Sequence, residues 1–376
     1  MKVSLDFIHN KSRKYFYISF LLVWLLIFLA FTFVKSTKSL VISFSPHDTF
    51  ILLDGAWRIY TGDIPNIDFH DVLGPLTFAI IAFGMKIHTP SSMAILYGST
   101  TFFAIFILMV WVISISRLPP ILALFFSVIA AFGIIGNYAI GYPGISYAMI
   151  YNRYSYSLLS GIFIYSFLVA ESNNRNSWRA LNFTSNVIAG IFLISILLTK
   201  LTFFPIALAA LLVRSVFYKF IFKDLIEILF GVFLMLILCH YWFKFNLMGF
   251  LNDMNYLLLI GDNQKINLIN RVINTISDNK YKLFIFSILF IICLYIIFYQ
   301  NFFKQKKNIL WVVTIFMFMN IADIFIASAN TQNLILWLMP LTVAIISIIF
   351  FKYPIQNSID LPPSLKVSKF QSFKVS

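Results

Sequence analysis

Apolar runs of roughly 17 to 25 residues recur from one end of this chain to the other, each long enough to cross the ~30 Å hydrocarbon core of a bilayer as a helix. A backbone in hydrocarbon finds no water to bond, so a spanning segment must satisfy its own polar groups, as a helix or as a strand of a closed barrel. Barrel strands alternate apolar and polar residues with a period of two, whereas these runs are continuous, so helices are predicted. Composition agrees. The 376 residues are 60% hydrophobic and 11% charged, and the mean hydropathy is +0.89, outside the range of soluble domains. The predicted fold class is all-α, a polytopic integral membrane protein.

Ten spans are predicted, at about 15–34, 92–116, 119–139, 154–170, 183–199, 203–218, 225–243, 283–300, 309–327 and 334–351. The first follows Lys11, Arg13 and Lys14 much as a signal peptide would. Its length and the lack of a small-residue cleavage site predict a retained helix instead. An even number of spans puts both termini on one side. Placing the N-terminus inside puts seventeen of the twenty-eight Lys and Arg residues in inner segments, among them Arg117, Arg214, Lys304, Lys306 and Lys307, as the positive-inside rule requires. Asp48, Asp54, Asp63, Asp68, Asp71, Asp253, Asp262 and Asp278 then fall outside. The net charge of +14 needs no nucleic-acid partner, because lysines beside anionic headgroups account for much of it. The expected organisation is one transmembrane domain over 1–352, a first outer loop over 35–91 and a short cytoplasmic tail over 353–376. The two cysteines, Cys239 and Cys293, each lie in an apolar run and make neither a disulfide framework nor a metal site.

Five of the fourteen acidic residues are concentrated between residues 45 and 76. In so oily a chain, carboxylates gathered on one loop mark where polar chemistry is concentrated. Ser45-Pro46-His47-Asp48 reads as a helix start, with a Ser cap, Pro at the first position and an acid three residues after the cap. Phe50, Leu53, Trp57 and Tyr60 then recur at helical spacing, predicting a helix that lies on the membrane surface with that stripe down. Gly62, Pro65 and Asn66 break it, and Gly74-Pro75 opens an apolar stretch to Ile87, too short for a span and read as a second interfacial helix.

These residues carry a resemblance. An initial helix, an outer loop with an acid at its start (Asp48), the segment Gly62, Pro65, Asp68, Phe69 and the opening Gly74-Pro75-Leu76 resemble the first periplasmic loop of GT-C glycosyltransferases. That family includes bacterial relatives of the protein mannosyltransferases and the aminoarabinose transferases of lipid A. Leu198-Thr199-Lys200 resembles a second family feature, a Thr-Lys pair at the outer end of a middle helix. The resemblance covers about residues 15 to 215. Three features depart from the family: Thr49 stands where a second acid often follows the first, Leu201 replaces the usual Gly, and the soluble C-terminal domain of larger members is missing.

What the resemblance implies is an inverting sugar transferase that uses a polyprenyl-phosphate-linked donor. Its acceptor would be a surface glycan, lipid or protein at the periplasmic face. Such chemistry needs a base for the acceptor hydroxyl and negative charge near the anomeric carbon, which one carboxylate can supply. Asp48 is the first candidate, against the alternative of a simple capping acid. Asp54 is the second, although six residues at 100° each place it about 240° around the helix from Asp48. Arg58, Lys200 and Arg153 are the candidate ligands of the departing phosphate. Lys200 could equally snorkel to headgroups, and Arg153 could be a headgroup anchor among tyrosines. Asp68, Asp71, the intramembrane Asp323, and Asn330 and Gln332 in a short outer turn are candidates for the sugar or acceptor, or for turn formation alone. No metal is expected to be required, with Mg²⁺ or Mn²⁺ left open because no tight acidic or histidine cluster occurs. Two other classes stay open: a polyprenyl-linked glycan flippase, to which Asp323 points, and a polysaccharide polymerase, to which the loop between about 244 and 282 points.

Overall fold

The computed structural model describes residues 2–40, 46–71, 73–135, 147, 149–168, 176–217, 222–261, 265–278, 280–281, 284, 287–288, 291 and 306–329. These residues are helical, with no strand beyond an isolated bridge between Pro65 and Phe69. In chain order the helices are α1 (Lys2–Ser36), α2 (Pro46–Thr61), α3 (Pro75–Ile87), α4 (Ala94–Ile115), α5 (Pro120–Ile135), α6 (Ile150–Phe167), α7 (Asn176–Thr199), α8 (Phe204–Phe217), α9 (Phe222–Phe243), α10 (Leu247–Gly261), α11 (Lys265–Asp278) and α12 (Lys306–Ala329). Two compact units divide the chain, the first running up to Arg271 and the second from Val272 to Ala327 among the described residues.

Among the described residues, three helical segments are long and apolar enough to cross a membrane: Lys14–Ser36, Ala94–Ile115 and Arg179–Thr199. Four more are apolar but shorter, at Pro75–Ile87, Pro120–Ile135, Leu201–Val216 and Val313–Ile326. The expected spans at 283–300 and 334–351 fall largely or wholly outside the described residues.

Glycines set how closely the helices of the first unit approach. A Cβ on Gly190 of α7 would sit 2.0 Å from the carbonyl oxygen of Ile228, and one on Gly231 of α9 would sit 2.0 Å from that of Val187. The two backbones therefore touch at a reciprocal glycine contact, the packing that apolar surroundings favour because lipid supplies no hydrophobic drive between helices. Gly84 of α3 and Gly98 of α4 repeat the arrangement, against Ala94 and Ile80.

That contact corrects one expectation. The stretch from Pro75 was read as an interfacial helix with one face down, yet ten of its thirteen residues are buried inside the protein. α3 packs between α2, α4 and α7. It is a core helix because its small residues let neighbours close on it from several sides. α2 likewise has an inner face, Leu52, Gly55, Ala56 and Ile59, buried by the protein. The stripe seen in the sequence points outward, with Phe50 67% and Trp57 47% exposed.

At the far end of the bundle, two arginines close the C-terminus of α6. Arg117 Nε donates to the Leu168 carbonyl at 3.1 Å and Arg214 Nη1 to the Tyr165 carbonyl at 2.6 Å, satisfying carbonyls that the helix leaves open and complementing its negative pole. Their guanidinium carbons lie 4.6 and 4.7 Å from the Tyr165 ring centroid. The Tyr165 hydroxyl donates to Asn186 at 2.7 Å, and the Asn186 amide donates to Glu227 at 2.7 Å and Asp224 at 3.1 Å. The buried Arg117 and the half-buried Arg214 are thus balanced by two carboxylates through one amide, the condition under which buried charge is tolerated.

Candidate functional site

α2 starts where the sequence places it, at Pro46 with Asp48 in the first turn. It stops at Gly62, whose φ of +110° suits a residue without a Cβ. The Asp63 and Gly62 amides turn back to the Arg58 and Ile59 carbonyls at 2.9 and 3.2 Å, a Schellman closure. Two carboxylates then shape the loop. Asp68 Oδ2 accepts from the Ile64 amide at 2.7 Å, and Asp71 Oδ1 from the Leu73 amide at 2.8 Å, local turns of the kind Asp favours.

The loop docks on the end of α7 through backbone. The Gly74 amide donates to the Thr199 carbonyl at 3.2 Å, and a Cβ at Gly74 would lie 2.1 Å from the Leu198 carbonyl oxygen. Only glycine permits that approach, which brings Asp71 to Lys200. Lys200 is a single extended residue between α7 and a 3-10 turn over Leu201–Phe203, with φ −157° and ψ 112°. Its ammonium stands 4.8 Å from the centroid of the Tyr151 ring at the start of α6, within cation–π range. Burial pulls its pKa below the ordinary lysine value, and the Asp71 carboxylate opposes that shift. The Tyr151 phenol is pushed up by burial and then by the carboxylates of Asp48 and Asp71. Asp71 therefore acts on both Lys200 and Tyr151, and Asp48 on Tyr151, across four segments. The Asp48 carboxylate is one-third exposed and lies 3.5 Å from His47 Nε2.

Beside this cluster lies an apolar cavity of about 360 Å³, within the size range of small-molecule sites. Leu76, Ile80, Phe102, Phe106, Ser195 and Trp242 are among its walls. Leu76 lies five residues from Asp71 and Ser195 five from Lys200, so along the chain the cavity begins little more than one helical turn from two of the charged groups.

Other sequence candidates lie elsewhere. Asp54 and Arg58 pair with each other at 3.0 Å on the exposed side of α2, and the Arg58 guanidinium lies 5.6 Å from the Phe69 ring centroid. Arg153 is buried rather than anchored among headgroups. At 100° per residue it sits about 200° around α6 from Tyr151, and it lines a separate cavity of about 120 Å³ with Ser99, Thr100 and Tyr147. Asp323 is buried on α12 in the second unit. Asn330 and Gln332 lie outside the described residues.

A group that sequence reasoning missed pins the loop from the other side. Asp253 of α10 accepts from Asn66 Nδ2 with one oxygen and meets His70 Nδ1 with the other, both at 2.8 Å. The aspartate side chain is 11% exposed and the imidazole 66%. Asn66 adopts a φ of +63°, a conformation Asn tolerates. The residues pair across 187 and 183 positions, and no local spacing could have linked them. Among the described residues, no three of His, Cys, Asp or Glu gather as a metal site.

No protein-family model matches the chain, and neither does any curated protein or solved structure.

Proposed function

We propose that the chain is a polytopic membrane glycosyltransferase of GT-C type, with about ten spans, both termini cytoplasmic and the Asp48 end of the bundle periplasmic. It moves a sugar from a polyprenyl-phosphate carrier to a glycan, lipid or protein acceptor of the bacterial envelope. The observation that carries this reading is the convergence of Asp48, Asp71, Tyr151 and Lys200 beside an apolar cavity of about 360 Å³. A lipid-linked sugar phosphate has just this division into an anionic head and a hydrocarbon tail.

Asp48 takes the proton of the acceptor hydroxyl as the new glycosidic bond forms at the anomeric carbon. The bond from that carbon to the phosphate oxygen breaks, and the carrier phosphate leaves with its electron pair. Lys200 stabilises that phosphate as a point charge in a partly dehydrated setting, where such charges act most strongly. Asp71 and Tyr151 hold the lysine. Arg58, engaged by Asp54, orders the loop rather than meeting the phosphate.

The test is transfer of labelled sugar from a polyprenyl-phosphate donor by purified protein in proteoliposomes, comparing wild type with Asp48→Asn and Asp54→Asn. Loss of about 10²–10⁴-fold in rate is expected for Asp48→Asn, and a change of no more than a few-fold for Asp54→Asn. Equal transfer by wild type and Asp48→Asn removes that carboxylate from the mechanism. Movement of the carrier between leaflets without transfer supports a flippase, the reading favoured by the buried Asp323.

A further inference from the structure

Among the described helices, α11 stands apart in the way its residues divide. At 100° per residue, Ile266, Leu268, Ile269, Val272, Ile273 and Ile276 occupy an arc of roughly 160°, which also holds the first residue, Lys265, and Asn267, Asn270, Arg271, Asn274, Thr275, Ser277 and Asp278 occupy the opposite one. The apolar arc is not fully covered by the protein: Ile273 is 57% and Ile276 42% exposed. A helix of fourteen residues spans about 21 Å, too short to cross a bilayer, and its polar arc excludes it from hydrocarbon.

We infer that α11 lies in the plane of the bilayer, with Ile273 and Ile276 sunk into the boundary between headgroups and acyl chains. The residues that follow select lipid over a protein partner. Lys280 Nζ stands 5.4 Å from the centroid of the Tyr281 ring, and Tyr281 is exposed, a Lys–Tyr pair of the sort that marks the edge of a membrane. Beyond it Phe284, Ile288 and Ile291 are also exposed, as residues in contact with acyl chains are. The order is an amphipathic helix, an interfacial anchor and then a hydrocarbon-facing segment, which is the order of depth in a lipid leaflet. Lys265, Arg271 and Lys280 against Asp278 leave this stretch positive, suited to anionic headgroups. α11 directly follows α10, which carries Asp253 and so holds Asn66 and His70. The inference rests on membrane embedding and not on transferase activity.

An environment-sensitive fluorescent amino acid placed at position 273, and separately at 274, of the otherwise unchanged chain tests it. The proteins are reconstituted in vesicles of phosphatidylethanolamine and phosphatidylglycerol. At 273, quenching by lipids doxyl-labelled near the headgroup and at least threefold protection from aqueous iodide are expected; at 274 the pattern is reversed. Equal iodide access at the two positions overturns the inference. Protection at 273 without quenching by doxyl lipid overturns it as well, because it means that protein covers the face. Neither readout depends on sugar transfer.

Discussion

The amide of Gly74 donates to the carbonyl of Thr199 at 3.2 Å, joining the opening of α3 to the end of α7. The contact brings together two short motifs that lie far apart in the chain, and it holds the loop that carries Asp71 near enough to Lys200 for the carboxylate to act on the ammonium. Its tightness predicts a penalty for any side chain at Gly74. Gly74→Ala puts a methyl 2.1 Å from the Leu198 carbonyl oxygen, so one backbone must retreat. A loss of about 1–3 kcal/mol is expected, read as a lower midpoint in thermal unfolding in detergent, together with reduced transfer.

Lys200 predicts opposite pH trends for activity and stability. Burial lowers its pKa below the ordinary 10.5, so the folded protein releases this proton before the unfolded chain does. Between the two values the unfolded chain binds more protons, and stability rises with pH. Over the same interval the ammonium is lost and donor binding falls. Transfer should therefore decline with an alkaline limb below pH 10.5. Lys200→Arg should remove that limb, and Lys200→Gln should lower the rate roughly a hundredfold at neutral pH. A limb unchanged by Lys200→Arg assigns it to another group.

Asp253 is expected to hold the acidic loop rather than react. Asp253→Ala leaves the Asn66 amide and His70 without their acceptor, at about 1–3 kcal/mol. Hydrogen exchange should quicken over residues 62–71 while the helices of the bundle keep their protection. Exchange that quickens everywhere means that the contact supports the whole fold.

The arginines at the far end of the bundle predict a stability effect. Arg117→Met removes a wholly buried cation that faces the α6 carbonyls and Tyr165, leaving Asp224 and Glu227 with less compensating charge. A cost on the order of 3 kcal/mol is expected, seen in chemical unfolding of the purified protein.

Some of the site could be read one segment at a time. Ser45-Pro46-His47-Asp48 announced the start of α2, and Leu198-Thr199-Lys200 the end of α7, because caps, prolines and breaks in an apolar run act within a turn of helix. The surroundings of Arg153 were not legible, for the same reason. Its place in the first turn of α6 was legible, but the face it occupies was visible only once α4 and α5 had packed against that helix. α3 looked interfacial since thirteen mostly apolar residues say nothing of how many neighbours surround them.

The amino-acid sequence alone determined that the chain is helical, that it is built for an apolar surrounding and that its carboxylates gather between α1 and α4. Those properties follow from hydrogen bonding and hydrophobicity summed over neighbouring residues, which periodicity records directly. Only the tertiary structure decided which polar groups lie near one another: Asp71 near Lys200 and, with Asp48, near Tyr151, Asp253 with Asn66 and His70, and Arg153 lining a separate cavity. Those pairings depend on backbones approaching across more than a hundred residues at glycine contacts, and no local pattern in a single chain carries that distance.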